Sequence, residues 1–521
     1  MHPRHHALAT PAKPACIMAD SGEVLRYDEL DRRANQAAHR LRALGLRRGD
    51  VLAVMIDNEA ALFPLAWAAQ RTGLYLTSIS TKSSVADLAY ILGDCGAKVL
   101  GVSDRLAPVA AAAVEDVPQV QAFALTGTAD LPSWGEACAA LPVTPVKDES
   151  PGTEMLYSSG TTGRPKGVKP TLPAGAIDQP TPLVGMGATL YGMGADMVYL
   201  STSPLYHAAP LRWAMSVHRF GGTVVIMERF DAEEALALIE RYRITHSTWV
   251  PTHFVRLLRL PEEVRARYDH RSMRAVIHAA APCPVPVKQA MIDWWGPVIY
   301  EYYSGTETCG ITALSADEWL AKPGSVGKAI LGTVKIVDDD GNERPVGQVG
   351  NVYFADGPRF EYHNDPVKTA AAYDHRGWAT LGDIGRLDED GYLYLTDRKN
   401  FMIISGGVNI YPQEIENCLI EHPSVADCAV FGLPDMEMGQ VVVAVVQPSE
   451  AAADENTLAA SLTAFLRERL GGVKVPRIFH FRPILPREPT GKLLKHKLVR
   501  EYLDMAEKAG ASGLGDERRC P

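Results

Sequence analysis

No charge-free apolar run in this sequence reaches the ~20 residues that a membrane-spanning helix needs. The first residues, M-H-P-R-H-H-A-L-A-T-P, contain no apolar core of a secretory signal. Both absences predict a cytoplasmic protein with no stable membrane insertion. A cationic excess is missing too, since 52 Lys and Arg stand against 62 Asp and Glu for a formal net charge of −10. That balance argues against nucleic acid or an anionic membrane as the main partner, while leaving room for local basic pockets around an anionic ligand. The eight cysteines, at positions 16, 95, 138, 283, 309, 418, 428 and 520, form no C-x-x-C pair, and no histidines stand near them at zinc spacing. Reduced thiols are expected, with Cys283 and Cys309 read as small buried core residues. No internal repeat or low-complexity block is present, which removes solenoids and propellers. A homodimer is compatible with this composition but is not derivable from it.

What is present is an alternation of helical and strand patterns. With 521 residues, 46% of them hydrophobic and 22% charged, the chain can bury several cores. Apolar residues recur at helical spacing over 27–45, ending at Gly45, and are followed by a continuous apolar stretch at 51–56. Helical 59–71, strand-like 74–79, helical 84–92 and strand-like 99–102 continue a βαβ rhythm that implies a largely parallel sheet. Residues 169–196, rich in Pro and Gly, predict a surface crossing with little regular structure. The rhythm resumes with strands at 198–201, 223–227 and 275–278 and a helix at 232–242. From about 324 to 396 short strands and tight turns predict a small β-rich subdomain. Beyond the charged run at 397–399, a plausible hinge at Asp397, residues to 505 read as a separable α+β unit, and 506–521 as a flexible tail. The fold class expected is thus α/β. A large N-terminal portion, 1–396, holds two parallel-type sheets flanked by helices plus the β-rich subdomain, and a smaller mobile α+β C-terminal domain follows.

Residues 157–168 read Y-S-S-G-T-T-G-R-P-K-G-V. Gly160, Gly163 and Gly167 allow turns with positive φ that bring N–H groups near an anion. Ser158, Ser159, Thr161 and Thr162 add hydroxyl donors, and Lys166 adds a point charge. Lys166 is followed by Gly167 rather than by the Ser or Thr that holds magnesium in the common G-x-x-x-x-G-K-[ST] loop, so the phosphate is held differently here.

This stretch resembles the phosphate-loop signature of the adenylate-forming (AMP-binding) superfamily, and five further stretches match it in the expected order across nearly the whole chain. The resemblance is to the acyl-CoA synthetase branch, of the fatty-acid type. It implies the following roles. In 302–307, Y-Y-S-G-T-E, Tyr302 and Tyr303 line the adenine site with Tyr303 stacking, Thr306 contacts phosphate, and Glu307 holds Mg²⁺. Ser304 stands where the family commonly has Gly. Ala280, Ala281 and Pro282 form the small-residue adenine loop, Asp383 accepts from both ribose hydroxyls, and Arg398 adds a ribose or phosphate contact. Lys492, in P-T-G-K about 95 residues past the hinge, is the catalytic lysine. Ser405, Gly406 and Gly407 line a pantetheine tunnel once the C-terminal unit has turned. His207 takes the place where amino-acid-activating relatives carry an aspartate, so a plain carboxylic acid is expected. It is read either as a gate of the acyl site or as a packed core histidine. The acyl pocket is expected to be walled by 249–252, Gly221, Gly222 and 279–281. The implied activity uses ATP, Mg²⁺ and CoA to convert a hydrophobic acid to its acyl-CoA. A carrier-protein pantetheine as acceptor, and a non-catalytic nucleotide-binding relative, are the alternatives.

Overall fold

The computed structural model describes residues 1–158, 165–398, 401–406, 408–435, 438–449, 454–487 and 493–511, with backbone alone at Ser158 and over 506–511. The βαβ patterns of the first 330 residues resolve into two main sheets. The larger has nine strands. Six of them run parallel, in the spatial order Ile299–Tyr303, Ala275–His278, His246–Trp249, Val198–Ser201, Thr223–Ile226 and Pro14–Met18. The second sheet has five strands, all parallel, in the order Gln121–Ala124, Ala97–Val102, Val51–Met55, Tyr75–Ser78 and Thr153–Glu154. Strands covered on both faces need apolar residues throughout, and all five residues of Val51–Met55 are buried.

The layer between the sheets is built from three helices, Tyr27–Ala43, Leu62–Arg71 and Ala208–Phe220, the second of them buried on every side. Their side chains Leu30, Phe63, Trp67, Leu211 and Trp213 join Leu52, Val54, Val224 and Ile226 of the two sheets in one core. Burial of such large apolar side chains contributes roughly 1.5–3 kcal/mol each. Helix Tyr27–Ala43 ends two residues before Gly45, whose φ of 84° supplies the left-handed turn expected of that position.

The β-rich subdomain is an antiparallel sheet of four strands, Thr333–Val337, Gly350–Ala355, Ala379–Leu387 and Leu393–Arg398, in that order. The C-terminal unit packs the antiparallel pair Val425–Asp435 and Gly439–Pro448 against helices Pro412–Leu419 and Glu455–Arg467. Asp397 lies within the strand that precedes this unit, and its carboxylate accepts the Gln413 N–H at 2.8 Å, at the start of the first of those helices.

Two local expectations, over 169–196 and 506–521, are corrected. Residues 169–196 contain a helix, Pro182–Leu190, started by Thr181 accepting the Val184 N–H and by proline at its first turn, where the missing N–H costs nothing. The first residues, read above only for a secretory signal, form helix Arg4–Ala9 and lead into Pro14–Met18, which pairs parallel to Thr223–Ile226. Helix Lys495–Ala511 continues through the first residues of the stretch expected to be a flexible tail, and 512–521 lie outside the described residues.

Gly310 marks the joint between the large sheet and the β-rich subdomain, since a Cβ there would fall 1.9 Å from the Phe354 ring. Gly310→Ala is expected to destabilise the chain by about 1–3 kcal/mol through overpacking, measured as a lowered thermal unfolding midpoint. An unchanged midpoint would show that the joint is not close-packed.

Candidate active site

In parallel sheets the carboxyl ends of the strands are left open by the returning helices, and ligands bind there. Both sheets direct those ends to one cavity of about 900 Å³. From the large sheet Thr202, Phe230, Thr252, Ala280 and Ser304 reach its wall, each just past a strand end, and from the smaller sheet Asn58, Thr81 and Arg105 do.

One wall carries most of the expected nucleotide residues. Ala280, Ala281, Pro282, Tyr302, Tyr303, Asp383 and Arg398 all line the cavity. The Tyr303 hydroxyl donates to Asp383 Oδ2 at 2.5 Å, and Arg398 Nε lies 3.3 Å from Asp383 Oδ1. Asp383 and Arg398 face each other in register across their antiparallel strands, which is why they meet. Burial and the adjacent Asp383 charge push the Tyr303 phenol well above its ordinary range, which favours the protonated, donating form. Its ring stacks on Phe354, with centroids 6.2 Å apart and 29° between planes. Across from it Ala280 has φ of 74°, a left-handed conformation that costs of order 1–3 kcal/mol for a residue with a Cβ. Ser304 fits without positive φ, and its hydroxyl donates to the Gly310 carbonyl at 2.8 Å.

The phosphate loop is closed by a hairpin. Leu156–Ser158 pairs antiparallel with Lys166–Lys169, Ser158 opposite Lys166, so the two ends of the loop are fixed side by side. Ser159, Gly160, Thr161, Thr162 and Gly163 lie outside the described residues, as do the side chain of Ser158, Gly407 and Lys492. Gly167 serves a different purpose from the one expected. It is absent from the positive-φ positions, and a Cβ on it would meet the Tyr157 ring at 2.9 Å, so close approach is what requires glycine there.

A third strand, Glu361–Tyr362, completes this small sheet with Tyr362 opposite Val168. The Tyr362 hydroxyl donates to Glu307 Oε1 at 2.8 Å. Tyr362 therefore ties the phosphate-loop hairpin to the acid expected to hold the metal. Beside it, the Thr308 hydroxyl donates to the Thr306 carbonyl, Arg212 Nη1 reaches Thr308 Oγ1 at 3.4 Å, and Arg212 Nε lies 3.5 Å from Glu154. Neither Tyr362 nor Arg212 was legible in the sequence. No motif spacing marks Tyr362, and Arg212 sits on one helix facing a loop nearly a hundred positions later.

His207 stands at the N-terminal edge of helix Ala208–Phe220, its ring 4.5 Å from that of Tyr206, which lines the cavity. His207, Lys166, Thr306 and Glu307 are not themselves on the cavity wall. Gly221 and Gly222 are removed from the acyl pocket: they precede Thr223–Ile226 at its amino end and pack against His6 and Met197. Ser405 and Gly406 form part of the Ile403–Ser405 hairpin in the C-terminal unit, where the Gly406 N–H donates to the Met438 carbonyl at 2.8 Å, off the cavity wall. Arg487 and Leu493, which bracket the segment holding Lys492, do line it.

Comparison with known proteins accords with this geometry. Residues 3–359 match the AMP-binding enzyme family, and residues 414–492 match the AMP-binding enzyme C-terminal domain. A long-chain-fatty-acid–CoA ligase of Mycobacterium tuberculosis, FadD13, is 32% identical, with 96% of this chain and 97% of the relative covered. The 2-succinylbenzoate–CoA ligase of Bacillus licheniformis is 30% identical over 95% of this chain and 98% of its own length. The crystal structure of ATP-bound MatB from Rhodopseudomonas palustris superposes with a TM-score of 0.82 at 27% identity, covering 97% of this chain and all of the other. The chain belongs to the AMP-binding, adenylate-forming enzymes. Within them it falls in the AMP-forming acid:CoA ligase family.

Tyr362→Phe removes the hydrogen bond that orients Glu307. It is expected to raise the Mg²⁺ concentration for half-maximal ATP–pyrophosphate exchange by about 10- to 100-fold, measured by magnesium titration at saturating ATP. An unchanged requirement would show that Glu307 is oriented by other groups.

Proposed function

We propose that this protein activates a hydrophobic carboxylic acid with ATP and transfers the acyl group to the thiol of CoA. The observation that carries this reading is that Arg487 and Leu493, the two ends of the segment holding Lys492, line the same cavity as Tyr303, Asp383 and Arg398. Adenine lies between Tyr303 and the Ala280–Ala281–Pro282 loop, and the ribose hydroxyls donate to Asp383 beside Arg398. The loop from Ser158 to Lys166 grips the β- and γ-phosphates. Apolar Phe230, Pro251 and Val255 on the cavity wall suit an apolar acyl group.

The substrate carboxylate attacks the α-phosphorus, forming an acyl–phosphate bond as the bond to pyrophosphate breaks. Lys492 sits between the two approaching anions and lowers the barrier electrostatically. Glu307, a single carboxylate next to phosphate oxygens, fits magnesium, which takes one or two carboxylates together with substrate phosphates. Among the described residues no group of three or more His, Cys, Asp or Glu could hold a metal alone. Magnesium, when bound, neutralises phosphate charge. In the second half-reaction the C-terminal unit turns about Asp397, withdrawing Lys492 and bringing Ser405, Gly406 and Gly407 to the cavity. The CoA thiolate then attacks the acyl carbon and AMP leaves with the bonding electrons.

Lys492→Ala is expected to lower acid-dependent ATP–pyrophosphate exchange by about 10²–10³ while sparing thioester formation from supplied acyl-adenylate. Equal loss of both half-reactions would sink the assignment. Screening fatty, aryl and alicyclic acids for pyrophosphate release, with and without free CoA, identifies the acid. Pyrophosphate release without thioester would transfer the acceptor role to a carrier-protein pantetheine.

A further inference from the structure

Beneath the nucleotide wall lies a group of charges that the reaction above does not use. Lys288 and Glu301 form an ion pair at 2.6 Å, and the two residues are 0% and 5% exposed. His278, also 0% exposed, stands opposite Glu301 in strand register with its Nε2 3.5 Å from the carboxylate. Neither ring nitrogen of His278 has a hydrogen-bond partner among the described residues. Burial and the Lys288 charge hold its pKa well below the ordinary value, so His278 is neutral and Lys288 alone balances the carboxylate. The ammonium also lies over the Trp319 ring, 5.1 Å from its centroid.

The position of this pair in the chain gives it meaning. Glu301 is on the strand Ile299–Tyr303, two residues before Tyr303, and lines the cavity. Lys288 is in the first turns of helix Val285–Trp295, which begins three residues after Pro282. On the nucleotide reading, the ion pair thus joins the strand that carries Tyr303 to the helix that follows the Ala280–Pro282 loop. A buried ion pair is a poor way to gain stability, because desolvation of both charges offsets most of their attraction, and an apolar pair of similar volume often does as well. What it supplies is a fixed distance and direction between two elements. The left-handed Ala280, in the loop between strand Ala275–His278 and this helix, is a conformation that persists only where its surroundings over-determine it.

We propose that Glu301 and Lys288 are positioning residues that set the width of the adenine slot, clamping the Ala280–Pro282 loop against the strand that carries Tyr303. The inference rests on the nucleotide reading given above and adds a device specific to the adenine end of the ligand. Separating the walls should weaken contacts to the base and leave contacts to the phosphates unchanged.

The test compares two probes on the full chain by calorimetric titration with Mg²⁺ present: ATP, and inorganic tripolyphosphate, which has no base. No acid substrate is needed. Glu301→Gln and the double variant Lys288→Met with Glu301→Leu are the proteins compared with the native chain. Both are expected to bind ATP more weakly by on the order of tenfold or more, with tripolyphosphate affinity unchanged. The double variant, which buries no unpaired charge, keeps the test open if Glu301→Gln fails to fold. Equal weakening of both probes would reduce the pair to a general structural role and overturn the proposal, as would native ATP affinity in the double variant. A native chain that binds ATP no better than tripolyphosphate would instead overturn the nucleotide-site reading on which the proposal rests.

Discussion

The carboxylate of Asp383 is the constraint on which the site depends. It accepts the Tyr303 hydroxyl from the large parallel sheet, faces Arg398 across its own antiparallel sheet, and is itself on the β-rich subdomain. Three parts of the chain, separated by up to about a hundred residues, are thus held on one group. The arrangement leaves Asp383 7% exposed, enough for its remaining lone pairs to meet a ligand but shielded enough for those contacts to be strong. Tyr303 cannot give up its proton beside that charge, so its ring is oriented by the same bond that draws the strand end toward the subdomain.

The phosphate end is organised by a second, smaller device. Three short strands form a sheet whose first two are the stems of the phosphate loop and whose third brings Tyr362 to Glu307. Tyr157, on the first stem, donates its hydroxyl to Asp94 and presses its ring on Gly167. The loop itself can be rich in glycine and hydroxyls because its anchorage lies outside it. On the reading proposed above, the adenine and phosphate ends of the nucleotide are served by separate sheets, joined through the Tyr303–Glu307 segment, which continues from one strand of the large sheet.

How much of this could be read from the sequence follows from where each signal resides. The parallel sheets were legible because strands buried on both faces leave uninterrupted apolar runs, as at Val51–Met55, and the helices between them repeat at helical spacing. Asp383, Tyr303 and Arg398 were legible through resemblance, and the register that joins them was not. The helix Pro182–Leu190 was hidden because its proline and glycines read as loop composition, while the proline occupies the one turn where it is tolerated. Gly221 and Gly222 had the right composition for a small-residue wall but the wrong end of the strand. Tyr362, Arg212 and the Lys288–Glu301 pair were silent because each acts across a tertiary contact with no local periodicity or motif to announce it. Isolated lysines and glutamates are ordinarily solvated, and burial is what separates this pair from them.

The same logic bears on how one cavity could serve two half-reactions. Arg487 and Leu493 stand on its wall, whereas Ser405 and Gly406, in the same C-terminal unit, lie off it with Gly406 bonded to Met438. On the reading proposed above, a unit that moves as one body does not present both sets of residues to the nucleotide at once, and adenylation and thiol transfer follow each other. The order is then fixed by chemistry, because the thiol has no activated carbonyl to attack until pyrophosphate has left. Asp383 and Tyr303 lie on the N-terminal side of Asp397 and Arg398 just past it, so on the reading proposed above a turn at Asp397 can exchange the reacting groups while Asp383 and Tyr303 hold the ribose end of the adenylate where it was bound.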